Sequence, residues 1–198
     1  MGKVKIVEPV NLVIFIFSAQ LDYWFEVVKP DLIALFGPID YISPELDFEK
    51  YTLYYNEEMG SGITGRLISF ERLIHPSLLA SIKVKTNELE AKHAVEGNRR
   101  FNLDPGYIHH MQFVLATTKM WPHRIYIGQG IYAEPTLMYI NGKWKDYDFT
   151  YPNYKEEVYK AELSKIRDLY LEKRKEYLKS IMRTVRGKEC KERGGRNS

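Results

Sequence analysis

The residue types that could do chemistry are concentrated between Arg99 and Thr136. Polar, charged and aromatic side chains alternate there with apolar ones over several consecutive predicted strands. Because alternate residues of a strand share one face of a sheet, these strands can present a single polar surface. The candidate ligand-binding residues on that surface are Arg99, Asn102, Asp104, Lys119, Arg124, Tyr126 and Tyr132.

The chemistry of these residue types indicates an anionic ligand. Arginine and lysine bind phosphate or carboxylate groups, and arginine does so through two parallel hydrogen bonds. Glu134 is a candidate catalytic base, and His123 is a candidate for proton transfer. Glu57 and Glu58, on a predicted neighbouring hairpin, are candidate ligands of a divalent metal such as Mg²⁺. The alternative interpretation is an exposed sheet face with cross-strand Lys–Glu and Arg–Glu pairs.

Two short motifs have the letters of a binding site but not the predicted structural context for one. Residues 60–65 have the spacing G-x-G-x-x-G, but a dinucleotide site needs that loop between a strand and a helix. Here residues 66–71 predict a strand, so we expect a turn. His109 and His110 are adjacent, and on a strand their side chains would point to opposite faces. We therefore expect them not to share a metal ion.

A polar stripe runs along the helix predicted over residues 77–97. Lys83, Thr86, Asn87 and Glu90 recur there at a spacing of one to four residues, which brings their side chains to one region of the helix surface. The stripe is either part of a site or a solvated helix face, and the sequence favours the solvated face.

Hydrophobic patterning predicts the elements that position these residues. Apolar runs and alternation predict strands over 11–17, 39–46, 52–59, 66–71, 112–119, 124–128, 131–140 and 143–150. Helices are predicted at 21–36, 77–97 and 154–182; Pro30 either kinks the first or begins a second one. Asp104-Pro-Gly predicts a turn, and Pro135 predicts an edge strand or a bulge.

This order of elements predicts an α+β fold with a mostly antiparallel sheet, helices packed on it and a long C-terminal helix. We expect one domain over residues 1–182, followed by a basic tail over 183–198 that its Gly-Gly-Arg-Asn-Ser ending predicts to be disordered. The tail carries six basic and two acidic residues, a net charge of +4. The body therefore carries −1 of the total of +3, and nucleic acid is an unfavoured partner.

Composition excludes several classes of protein. A hydrophobic content of 44% and a charged content of 28% are ordinary for a folded domain and exclude a disordered chain. The longest apolar run, residues 12–17, is too short to cross a bilayer. Cys190 is the sole cysteine, and no secretion signal is evident, so we expect a cytoplasmic protein. Three glutamines among abundant Lys, Glu and Tyr indicate a heat-adapted source.

Several blocks of the sequence resemble the bacterial domain-of-unknown-function 4416 family over roughly residues 8–170. These blocks are residues 54–60, 69–74, 82–90, 102–107, 114–119, 123–126, 130–137 and 150–154. Some members of that family bear the description "GTP-binding protein". The resemblance implies a nucleotide or phosphate ligand, but it carries over no catalytic residue.

Two functions from different classes follow as hypotheses. The first is a protein that binds a nucleotide or another phosphorylated small molecule, either as a binding protein or as an enzyme, with Tyr55 among the residues of the pocket wall. The second is a non-catalytic module that binds another protein or a second copy of itself. The heptad-like apolar stripe of the C-terminal helix favours the second hypothesis.

Overall fold

The computed structural model describes residue 2 and residues 6–194, with side chains described as far as residue 183. Nine strands form one sheet: β1 (Val10–Ser18), β2 (Ile39–Ile42), β3 (Leu46–Asp47), β4 (Thr64–Ile74), β5 (Asn102–His109), β6 (Gln112–Thr117), β7 (Ile125–Gly128), β8 (Ile131–Ile140) and β9 (Lys143–Asp146). The helices are α1 (Leu21–Phe36), α2 (Asn56–Met59), α3 (Leu79–Lys92), α4 (Pro152–Lys155) and α5 (Glu157–Gly194).

The sheet is antiparallel at every described pairing. Its strand order is β2-β4-β1-β5-β6-β8-β7, with β3 attached to β4 and β9 attached to β8. The predicted α+β class, with a long C-terminal helix, is confirmed. Central β1 is buried along its whole length, as its unbroken apolar run predicts.

Helices cover both faces of β1. Val13, Phe15 and Phe17 pack with the apolar stripe of α5, whereas Leu12, Ile14 and Ile16 pack with α1 and part of α3. Period-2 alternation along the strand thus separates two cores. Burying each of these large side chains contributes about 1.5–3 kcal/mol.

Local sequence signals define most boundaries. α1 continues through Pro30 as one helix and ends at Gly37, whose N–H donates to the carbonyl of Ile33. The register between β6 and β8 shifts next to the pairing of Val114 with Pro135, which confirms the predicted irregularity. Residues 60–63 form a loop between α2 and β4, so no helix follows the G-x-G-x-x-G letters. The predicted hairpin turn is wrong, because no strand precedes this loop.

Two predicted elements are wrong. Residues 52–59 form no strand; their last four residues are helix α2, because Tyr55 and Met59 turn inward to the core while Glu49 accepts hydrogen bonds from Asn56 and Gly62. Asp104-Pro-Gly is not a turn but lies inside β5, between β1 and β6. Strand pairing on both sides overrides the local turn signal there.

The C-terminal helix α5 extends from Glu157 to Gly194. The predicted disordered tail falls mostly on residues 184–198, whose side chains, and from residue 195 also the backbone, lie outside the described residues. Within the described part of the chain, no helix is both long and apolar enough to span a membrane.

Candidate functional site

A cavity of about 340 Å³ lies at the end of the sheet where β5 begins and β6 ends. Strands, α3 and the loops around α2 and α4 all contribute to its wall. It is lined by Phe15, Phe48, Tyr54, Tyr55, Lys83, Asn87, Glu90, Arg99, Asn102, Asp104, Leu115, Ala116, Thr117, Thr118, Lys119, Arg124, Glu134, Tyr151, Asn153 and Tyr154.

The structure brings together many of the residues proposed from sequence. Seven of them line this cavity: Tyr55, Arg99, Asn102, Asp104, Lys119, Arg124 and Glu134. Tyr126 and Tyr132 do not; they pair with each other at 5.4 Å between ring centroids, where edge strand β7 meets β8. Glu57 is exposed and lies outside the cavity wall.

Arg99 is the centre of a closed ionic network. Its Nε and Nη2 donate to the two carboxylate oxygens of Glu58, each at 2.7 Å, and its Nη1 donates to Asn102 Oδ1 at 2.6 Å and to Glu90 Oε2 at 3.4 Å. The hydrogen bonds from Arg99 hold the pKa of Glu58 below its usual value. Arg99 is therefore a structural part of the cavity wall. Glu58 is its ion-pair partner and does not form a carboxylate cluster with Glu57 and Glu134.

The stripe on α3 is buried and not solvated, which corrects the favoured sequence interpretation. Lys83 Nζ donates to the carbonyl of Leu103 at 2.8 Å and to Asp104 Oδ1 at 3.2 Å. Glu90 accepts from the Leu103 N–H at 2.7 Å, and Lys83 Nζ lies 4.0 Å from it. Burial raises the pKa of Glu90 while these partners oppose the shift. The stripe thus joins α3 to the start of β5.

A second ionic group lies on the β8 side of the cavity. Arg124 Nε donates to Glu134 Oε2 at 2.5 Å, and Arg124 Nη1 donates to the carbonyl of Lys119 at 2.8 Å. His123 Nε2 lies 3.4 Å from the same Glu134 oxygen, and its ring stacks on Phe149 at 3.8 Å. His123 is not part of the cavity wall, so it contacts the site through Glu134.

Two polar groups of the cavity residues have no hydrogen-bond partner among the described residues: the donor Asn102 Nδ2 and the acceptor Glu134 Oε1. Buried polar groups in proteins nearly always have a partner. Lys119 is exposed at the cavity and has no carboxylate partner within the described chain; its Nζ lies 4.6 Å from the centroid of the Tyr54 ring. The cavity therefore keeps unused donors and acceptors of both kinds.

Aromatic rings form the rest of the wall. Tyr54 and Tyr55 meet edge to face at 4.9 Å, and Phe48 and Tyr154 lie deeper in the core. Burial raises the pKa of Tyr55, so its hydroxyl stays protonated over the physiological range. The sequence predicted Tyr55 as a residue of the cavity wall, but it did not predict Phe48, Tyr151 or Asn153. For Tyr151 and Asn153 a signal was available, because residues 150–154 form one of the family-like blocks.

The fold and the site define an antiparallel α+β protein with a mixed-charge, tyrosine-walled cavity at one end of its sheet. The family model described as "Domain of unknown function (DUF4416)" matches residues 8–170, and the chain belongs to this family. The comparisons with curated proteins and with solved structures gave no match.

Proposed function

We propose that the cavity binds a nucleotide or another phosphorylated small molecule. The observation that carries the proposal is the unused hydrogen-bonding capacity within one cavity: Lys119 has no carboxylate partner among the described residues, and Glu134 Oε1 has no hydrogen-bond partner in the described chain. The Lys119 cation favours an anionic group, and Arg124, which is paired with Glu134, lies close to it because it donates to the Lys119 carbonyl.

The remaining wall fits the other parts of such a ligand. An aromatic ring stacks well between tyrosines, and Tyr54, Tyr55 and Tyr151 supply those surfaces. The free oxygen of Glu134 would accept a hydrogen bond from a ring N–H or a hydroxyl group. A volume of about 340 Å³ lies at the lower end of the range for small-molecule sites, which suits a compact ligand such as a mononucleotide.

Magnesium enters this proposal with the ligand. Nucleotide phosphates carry Mg²⁺ into many sites, where one or two protein carboxylates complete its coordination. Asp104 is the candidate in the cavity wall, in place of Glu57 and Glu58, which do not line the cavity.

The proposal is tested by thermal-shift titration of the chelator-treated protein with GTP, ATP and inorganic phosphate, each with and without Mg²⁺. A ligand present at 100 times its dissociation constant stabilises the fold by about 2.7 kcal/mol. We expect one nucleotide to give such a shift, and Lys119→Ala to remove it. Lys145→Ala, an exposed lysine on β9, is the matched control and should leave the shift unchanged. Equal shifts in both variants would contradict the proposal.

Self-association is the second candidate function, and edge strand β7 favours it. Met120, Trp121, Ile125 and Tyr126 are 75%, 61%, 61% and 60% exposed, and β7 pairs on one side only within the described chain. Exposed apolar edges of this kind commonly mark interfaces. Light scattering should then show a dimer that Ile125→Lys converts to a monomer; a monomeric wild-type protein would count against it.

The setting that we propose for this function is the bacterial cytoplasm of a heat-adapted organism. It is supported by the low glutamine content and by the family resemblance. A melting temperature within about 45–65 °C, where mesophile domains cluster, would contradict the heat-adapted source.

A further inference from the structure

A cluster of metal-binding side chains lies at the far end of the sheet from the cavity. Glu8 precedes β1, His109 ends β5, and His110 lies in the turn between β5 and β6. In the antiparallel pairing of β1 with β5, Asn11 faces Ile108 whereas Phe17 faces Asn102. The two ends of β5 therefore carry two separate groups of polar residues.

The two histidines share one region of space, which corrects the expectation that they point to opposite faces. Their ring centroids are 4.0 Å apart. The reason is local: β5 ends at His109, and His110 belongs to the following turn, so strand alternation no longer sets its direction. One ligand atom each from Glu8, His109 and His110 lies within 4.8 Å of the other two.

We propose that Glu8, His109 and His110 form a binding site for a divalent transition metal of the zinc class. Two imidazoles and one carboxylate are a common protein ligand set for zinc, with a fourth position left for water. All three side chains are partly exposed, so a metal ion can reach them from solvent. His110 Nδ1 is buried and has no hydrogen-bond partner in the described chain, which leaves it free to ligate.

Arg174 sets the position of the carboxylate. Its Nε and Nη2 donate to the two oxygens of Glu8, at 2.5 and 3.0 Å. Each carboxylate oxygen accepts more than one bond, so Glu8 can ligate a metal while Arg174 holds it. Ligand atoms around tetrahedral zinc are about 3.4 Å apart, given metal–ligand distances of about 2.0–2.1 Å. The three ligand atoms, now within 4.8 Å of one another, would have to approach by up to about 1.4 Å on metal binding.

The test is a calorimetric titration of ZnCl₂ into the untagged, chelator-treated full chain, with the visible absorption of bound Co²⁺ as an independent report of ligation. We expect one zinc ion per chain. Replacing one ligand, His110→Asn, should weaken binding by more than the roughly 10–100-fold that loss of an outer partner costs. His75→Asn, at an exposed histidine outside the cluster, should have no effect.

The double variant with His109→Asn and His110→Asn should abolish zinc binding and the Co²⁺ spectrum. Circular dichroism of the metal-free proteins shows whether each variant folds. If the double variant does not fold, the zinc affinity of His110→Asn alone tests the proposal. No zinc binding to the wild-type chain, or equal affinity in wild type and His110→Asn, would overturn the proposal. In that case the cluster would only fasten the start of β1 to α5 through Glu8 and Arg174.

Discussion

Replacing Arg124 by methionine is a direct test of the ionic group on the β8 side of the cavity. The side chains of Arg124 and Glu134 are only 9% and 3% exposed, and their Nε···Oε2 distance is 2.5 Å. Removing the guanidinium leaves the Glu134 carboxylate buried without its cation. Breaking a buried pair in this way costs about 3–5 kcal/mol, a large part of the 5–15 kcal/mol that stabilises a typical protein.

Urea denaturation measures this loss as a lower midpoint with an unchanged slope. For a chain of this size, the same loss lowers the melting temperature by roughly 6–20 °C. The double variant with Arg124→Met and Glu134→Gln removes both charges and should recover at least half of the stability, because a neutral amide costs less to bury than an unpaired carboxylate. A loss below about 1 kcal/mol in Arg124→Met, the value of a solvent-exposed pair, would show that Glu134 does not depend on Arg124 for its burial.

Two further predictions concern the core and the Arg99 network. Gly65→Ala should destabilise the fold by about 1–3 kcal/mol, because a Cβ there would lie 2.5 Å from Phe15 Cε2 and 2.9 Å from the Ile16 carbonyl oxygen; a loss under about 0.5 kcal/mol in urea would contradict this. Glu58→Gln should be less stable than wild type at neutral pH, and the difference should shrink as pH falls from about 6 to 3. The pKa of Glu58 is lowered in the folded state, so its contribution exists above its ordinary pKa and disappears on protonation; a difference independent of pH would contradict it.

Much of the fold could be predicted because its signals are local. The apolar run of β1 predicts a strand buried on both faces, and the alternation of β8 and the apolar stripe of α5 each indicate which face is buried. β5 was missed because Asp104-Pro-Gly has the letters of a turn, whereas its conformation is set by its neighbours. Gly106 suits the strand since a Cβ there would overlap the carbonyl of Val114 on β6. A local sequence pattern does not show such a contact between neighbouring strands.

The candidate site was predictable to the extent that strand order placed its residues together. Lys119 and Arg124 lie in the loop between β6 and β7, Glu134 lies on β8, and all three line one cavity. Tyr126 does not line the cavity, because β7 is the edge strand and the side chain of Tyr126 is exposed there. The burial of Lys83 could not be predicted, because it depends on which part of the chain packs against α3, and only the folded structure shows that.

Calorimetric titration of GTP, ATP and pyrophosphate, with Mg²⁺, into the wild-type chain and into Lys119→Ala shows whether the cavity binds a phosphorylated ligand. We expect one of the three to bind with one site per chain and a dissociation constant below about 1 mM. Lys119→Ala should weaken that binding at least about tenfold, a change of roughly 1.4 kcal/mol, while Lys145→Ala should not. No binding by any of the three, or binding that Lys119→Ala leaves unchanged, would contradict the claim that this cavity holds a phosphorylated ligand.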